Sequence, residues 1–459
     1  MYVPRATNVP VEPSVAALAS RAVEGKLVIC AGAGLSKGAP SGLPLGADLA
    51  QIVFDSLVAR IGAAAMEHAD PGDLLSVADT VEQLPGGAGL LQTALSAAAD
   101  FTTAPPNYGH HALALLLLEG AVECIVTNYD DCVERGCPPC GRLQAIITDA
   151  DRATVRGAAV LKAHGCATRA GSLLASSSQL AAPPIWVIHH FGDRLGDSVV
   201  VFVGLGDVAN YVRIRIQQLL DAIGDIHQVW VAATNLSDAW QELVPGVDAR
   251  FIQVPADEFL DQLLRDYVRI ALEELRERSA EHHRQGTYAA IGIEIHAGSE
   301  ALIETQTSRD ALSVLLWMRK SAHRWPAGQR VLHAAAGRSV LLALAIAASR
   351  RAPALDGDRM RLSGDPIEVV ILGGHPASVA VEEAARRIAS ALNEGHVGMG
   401  DTVMVLCHGH EGPLPQGRLE NVIPLGGPAD IIDGQMTPSL RFVSVQKMIE
   451  GELPDEWAA

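Results

Sequence analysis

The run Leu27-Val28-Ile29-Cys30-Ala31 is wholly apolar and ends abruptly in Gly32-Ala33-Gly34-Leu35-Ser36-Lys37-Gly38. A buried strand that breaks into a glycine turn, with a helix expected to begin between Leu45 and Asp48, is one unit of an α/β sheet. Segments 124–131, 160–166, 199–207 and 229–235 repeat the form: a β-branched or apolar run whose C-terminal end carries small or polar groups. In an open α/β sheet those ends form the ligand crevice. Glycine allows tight turns and close approach of a ligand to the backbone. Free backbone N–H groups beside a helix start suit a pyrophosphate. Taken alone, the 32–38 loop fits a nucleotide site and a structural turn equally well.

The spacing between these strands sets the organisation. Residues 14–26 form an amphipathic helix that feeds the first strand. Residues 46–105 have helical patterning broken at Asp70-Pro71-Gly72 and Pro85-Gly86-Gly87, and are expected to be a helical insertion above the strand ends. A helix over 107–120 leads into the strand at Cys124. Apolar residues Phe259, Leu260, Leu263, Leu264, Tyr267, Ile270, Ala271 and Leu275 recur at helical spacing and mark a long helix from 256 to 284. The boundary is placed after it, giving a domain over 1–285 and a second, smaller α/β domain over 286–459. In the second domain, strands are expected at 291–295, 368–372, 402–407 and 422–425. Helices are expected at 309–321, 329–349 and 378–393, and 353–366 reads as an exposed loop. The predicted fold is α/β, with a doubly wound, mostly parallel, Rossmann-like sheet in the first domain.

Composition narrows the function. At 459 residues the chain can bury more than one core, and 49% hydrophobic content makes it globular. A net charge of −18 argues against extensive direct binding to nucleic acid, which needs a positive surface. The longest apolar run, 340–348, is shorter than the ~20 residues a bilayer span needs and reads as a buried helix, so no membrane association is expected. Seven cysteines and no apolar leader in residues 1–13 suit a reducing, cytoplasmic setting.

Three blocks then stand in order on strand ends: Gly32-Ala33-Gly34-Leu35-Ser36, Thr127-Asn128-Tyr129-Asp130 and His164-Gly165. Together, over about residues 14–260, they resemble the sirtuin family. The resemblance implies a doubly wound sheet with a helical module, and NAD as the substrate cleaved at the nicotinamide–ribose bond. Protein-deacetylating sirtuins carry Pro-Asp-Phe-Arg after the glycine loop, where this chain has Leu45-Gly46-Ala47 after Pro44. They also carry two Cys-x-x-Cys pairs beyond the catalytic histidine, whereas here only Cys407 lies beyond Cys166. The pattern is closer to the bacterial sirtuin-like effectors of antiphage defence, of Thoeris type. These hydrolyse NAD, are fused to or paired with a sensing element, and often assemble as homo-oligomers. The resemblance therefore implies an NAD hydrolase that depletes NAD. Its C-terminal domain would answer a nucleotide signal or a protein partner.

Cleaving the nicotinamide bond builds positive charge on the ribose and releases a group that needs little acid help. The protein must orient the dinucleotide and present a base. His164 is the candidate base, since imidazole titrates near neutrality. Asn128 holds the ribose or the attacking water, and Asp130 orients Asn128 or a ribose hydroxyl. Gly32, Ala33, Gly34 and Ser36 cradle the pyrophosphate beside Thr127. Gly204 and Asp207 line the same crevice, and Asn235 approaches the adenosine ribose. Each residue also has a plain reading: Asn128 as a helix cap, and His164 or Gly204 as turn residues.

Cys137 and Cys140 form a single Cys-x-x-Cys pair, a weak zinc signal, and no metal is expected. His110 and His111 open a helix, where capping or solvent exposure is the default. The 373–378 loop could bind phosphate or be an ordinary strand–helix turn. Cys407-His408 lie on a strand and point to opposite faces. Two other functions remain open: a protein deacylase or ADP-ribosyltransferase on the same fold, and a non-catalytic nucleotide sensor.

Overall fold

The computed structural model describes residues 7–139, 141–181, 198–223, 228–243, 248–284, 297–303, 313–321, 330–356, 359–362, 365–371, 377–395, 397–398, 401–408, 416–418 and 438–449. The chain forms two compact units, Met1–Tyr267 and Val268–Ala459, so the division falls inside the helix Ala256–Arg284 rather than after it.

The first unit is built on eight strands: β1 (Thr7–Asn8), β2 (Leu27–Ala31), β3 (Val122–Val126), β4 (Gln144–Ile146), β5 (Ala159–Lys162), β6 (Val199–Val203), β7 (Gln228–Ala233) and β8 (Asp248–Gln253). Their order is β1-β8-β7-β6-β2-β3-β5-β4, and every neighbouring pair is parallel. β2 is buried along its whole length, as a central strand covered on both faces must be. The strands β1 and β4 are too short to stand out in the sequence.

From β2 the chain builds one side of the sheet, with β3 next to it, β4 at the edge and β5 inserted between them. It then returns to the other side of β2 as β6 and continues to β7 and β8. The winding therefore reverses between β2 and β6, which pair directly (Ala31 opposite Val203). Such a reversal places a crevice outside the strand C-termini.

The stretch expected to be a helical insertion contains the helices Gly46–Ile61, Leu74–Glu82 and Gly87–Ala97. The second starts just after the Asp70-Pro71-Gly72 break, with Asp73 as N-cap accepting from Leu75 N–H. Their inward residues Val53, Leu57, Val77, Val81, Leu91 and Leu95 join Val28, Cys30, Phe202 and Val231 of the sheet in one apolar cluster.

The second unit has a mixed sheet in the order β13-β14-β12-β11-β10-β9, with β9 (Pro353–Asp356), β10 (Arg359–Leu362), β11 (Asp365–Ile371), β12 (Thr402–His408), β13 (Gln416–Arg418) and β14 (Ser439–Ser444). β11, β12 and β14 are parallel. Ala385, Ile388 and Ala391 of the helix Ala377–Asn393 pack with Val403, Val405 and Cys407. The 340–348 run is buried inside the helix Ala335–Arg350. Among the described residues no helix is long and apolar enough to cross a membrane.

The described residues of 353–366 form strands, not a loop. β9 and β10 pair antiparallel, and β10 pairs antiparallel with β11. Gly, Asp and Pro content suggested a loop, but Met360 and Leu362 alternate inward and are fully buried. Burial of that face overrides the turn-like composition. The strands expected at 291–295 and 422–425, the 373–376 loop residues and Cys140 lie outside the described residues.

Candidate functional site

The glycines after β2 are demanded first by the neighbouring loop. A Cβ on Gly34 would lie 2.7 Å from the Gly204 carbonyl oxygen and 2.8 Å from its Cα. One on Gly32 would lie 2.2 Å from Leu205 Cδ2. Gly204, at φ 68°, itself leaves no room beside Leu35 N. The two loops at the winding reversal are thus in backbone contact, and only glycine permits it. Gly34→Ala is expected to cost roughly 1–3 kcal/mol, because backbone rather than a flexible side chain must give way; urea unfolding of the variant measures it.

The same contact limits the proposed cradle. Four amides of the loop already donate: Gly32 to Val203 O, Gly34 to Gly204 O, Leu35 to Gly32 O and Ser36 to Ala33 O. Ala33 N–H makes no such bond. Lys37, exposed and lining the cleft, is the nearby cation.

A closed hydrogen-bond network sits beneath this loop. Ser36, His110, Asn128 and Asp130 are all buried. Asn107 caps the helix Tyr108–Leu118, and its N–H donates to His110 Nδ1 at 3.1 Å. That bond places the ring proton on Nε2, which faces Ser36 Oγ at 3.1 Å. Ser36 O–H donates to Asp130 Oδ2 at 2.9 Å, and Cys132 N–H donates to Asp130 Oδ1 at 3.1 Å. Asn128 Nδ2 donates to Gly32 O and to Ser36 Oγ, each at 3.1 Å. Because a carbonyl only accepts, the amide orientation of Asn128 is set, and its Oδ1 remains without a hydrogen bond.

The electrostatics follow from burial and from two cations. Burial lowers the His110 pKa to about 4 despite the opposing pull of Asp130, so its imidazole is neutral at pH 7. Burial alone would raise the Asp130 carboxyl. Lys162, His110, the Cys132 N–H and the Ser36 hydroxyl outweigh it and hold the carboxyl below its ordinary value. The Lys162 ammonium, at the end of β5, donates to the Asp130 backbone carbonyl and pairs with Glu134 Oε1 at 3.3 Å.

Of this network Ser36, Asn128 and Asp130 line a cleft of about 760 Å³ at the strand C-termini, a volume suited to a small-molecule ligand. Of the residues singled out in the sequence, Ala33, Gly34, Ser36, Thr127, Asn128, Asp130, Gly204, Asp207 and Asn235 line it. Gly32 contributes its carbonyl to Asn128 from behind the wall. Residues 43–45 together with Gly46, Leu49, Asp73 and Phe101 of the insertion add a wall, and Asn210 Nδ2 donates to Asp73 Oδ2 at 2.9 Å across to the core.

His164 is placed differently. Its side chain is fully buried and does not line the cleft. Its ring packs on Tyr211, a cleft-lining residue, with centroids 5.3 Å apart. Neither ring nitrogen has a hydrogen-bond partner of good geometry. Burial, aided by the Arg215 charge, lowers its pKa to about 3, against a small opposing effect of the Thr127 backbone.

His110 is not solvent-facing: it caps its helix and reaches the site. Lys162, Glu134 and Tyr211 also escape a reading of the sequence. Lys162 closes an apolar run, and the helix holding His110 is buried nearly all round, so neither shows a local signal.

Among the described residues His110, Asp130 and Cys132 form the one group able to hold a metal ion. Their atoms are otherwise engaged. Both His110 nitrogens and both Asp130 oxygens are hydrogen-bonded, the Cys132 thiol donates to Ala104 O, and burial pushes that thiol up. With Lys162 and Arg135 alongside, the set does not suit a cation.

The fold and cleft define an α/β protein with an open cleft at the winding reversal of a parallel sheet. No protein-family model matches the chain, and no curated protein matches it.

Proposed function

We propose that the first unit binds NAD in this cleft and cleaves its nicotinamide–ribose bond, releasing nicotinamide and ADP-ribose. The observation that carries the reading is the convergence of Ser36, from the loop after β2, with Asn128 and Asp130, from the turn after β3, on one wall of the cleft. It adds to the resemblance to sirtuins carried by the blocks at 32–36, 127–130 and 164–165. Cleavage spreads positive charge over the ribose, and a carboxylate kept ionised beside it lowers the barrier electrostatically. Asp130 is such a group. Asn128 Oδ1 is the acceptor for a ribose hydroxyl or the attacking water. Ala33 N–H and Lys37 face the pyrophosphate, and Asn235 and Asp207 the adenosine end. His164 is the base in this reading, and its part requires the Tyr211 ring to turn aside. The second unit is the proposed receiver of a nucleotide or protein signal in a homo-oligomeric defence effector.

The covering of His164 also favours a second reading, a site that binds nucleotide without turning it over. Incubation with NAD, with and without candidate nucleotides, followed by chromatography, separates the two. Nicotinamide and ADP-ribose are the expected products. NAD left intact under every condition, with ADP-ribose bound tightly in calorimetry, would establish the sensor instead.

A further inference from the structure

Lys162 ties the polar turn of the cleft to the sheet. It ends β5, two residues before His164, and is 1% exposed. One ammonium joins three pieces of chain: its own strand, the Asp130 carbonyl, and Glu134 in the short helix Cys132–Arg135. Lysine is almost never buried this fully, and replacing a buried ion pair by apolar groups is often neutral or stabilising. Stability alone is therefore a weak reason for Lys162 to be there.

We propose that Lys162 is a positioning residue of the cleft: paired with Glu134, its ammonium grips the Asp130 backbone and holds the 128–130 turn, and through Asp130 the Ser36 hydroxyl, in place. The inference rests on the dinucleotide reading only for what the turn then does to a substrate. The chain of contacts runs from Lys162 to Asp130, from Asp130 to Ser36 at 2.9 Å, and from Ser36 to Asn128 at 3.1 Å. The charged and titratable groups facing Asp130 are Lys162 from β5 and His110 from the preceding helix, with Cys132, Glu134 and Arg135 from the following one. Among them Lys162 is the fully buried cation, so it dominates the field at the Asp130 carboxyl.

The test follows the Asp130 carboxyl carbon by NMR in the unliganded, full-length protein. In the wild type its midpoint is expected to lie below that of an ordinary aspartate. Lys162→Met/Glu134→Gln removes the pair without leaving either of its own members as a lone buried ion. Its Asp130 midpoint is expected to rise by at least about one pH unit relative to wild type, and the acid limb of NAD cleavage to rise with it. An unmoved midpoint overturns the proposal. Glu134→Gln alone keeps the ammonium and removes its competitor, so the acid limb should shift to lower pH; a shift to higher pH overturns the proposal as well. A raised Asp130 midpoint in a protein that leaves NAD intact supports the role of Lys162 and counts against the dinucleotide reading instead.

Discussion

Replacing Asn128 with alanine is expected to lower NAD cleavage by about 100-fold or more while the protein still folds. The carboxamide is held by Gly32 O and Ser36 Oγ, so its Oδ1 is oriented before any ligand arrives. Such preorganisation is what makes a small displacement of a reacting group cost on the order of 10²-fold. Asn128→Asp is the sharper control. It keeps the size but sets a carboxylate oxygen against the Gly32 carbonyl and adds charge beside Asp130. Steady-state rates for the two variants, with thermal unfolding to confirm the fold, provide the measurement. Cleavage at the wild-type rate in Asn128→Ala would remove Asn128 from the reaction. The loss of two hydrogen bonds should cost about 1–3 kcal/mol in stability, far too little to explain inactivity in a folded sample.

Stability is expected to fall steeply as the pH drops below about 6.5. His110 and His164 are buried and neutral, with pKa values lowered to about 4 and about 3. In the unfolded chain both titrate near 6.5. Above that pH both states carry neutral rings and the stabilisation is fully present. Below it the unfolded chain takes up protons that the folded protein refuses, so stability is lost until the pH passes the folded values. Each ring contributes up to about 1.4 kcal/mol per pH unit in that window. Between pH 6.5 and 5 the pair would then remove roughly 3–4 kcal/mol, a large share of the ~5–15 kcal/mol typical of a domain. Burial raises the Glu134 carboxyl, which acts in the opposite sense and gains stability as it protonates. The depressed Asp130 carboxyl matters only at still lower pH. His164→Leu isolates one imidazole without leaving a polar atom behind. Urea unfolding at pH 7.5 and 5.0 should show the variant losing less stability than the wild type, by about the contribution of one imidazole. Equal losses would mean that His164 is hydrated or paired in solution.

Much of the site was legible because strand ends announce themselves. A run such as Val199–Val203 must be buried, and the Gly204 that follows must turn, so the places where ligand loops begin could be read directly. The residues that complete the network were not legible. His110 sits 74 residues from the serine it faces, in a helix with no polar side to betray a function. Tyr211 lies in an ordinary amphipathic helix, and nothing local shows that its ring covers His164. The same limit hid the β9–β10 hairpin, where turn-like composition concealed the burial of Met360 and Leu362.

Periodicity and turn chemistry act over a few residues, so the chain alone determined its α/β class, the helical insertion and the loops that bear Ser36, Asn128 and Asp130. Which loops meet depends on strand order. The reversal between β2 and β6 pressed Gly34 against Gly204 and used up most of the loop amides expected to hold a pyrophosphate. Packing behind that reversal put Lys162 under Asp130 and set His164 behind Tyr211. Contacts between residues so distant in the chain leave no periodic trace, because they arise only when separate elements are brought together and water is excluded between them.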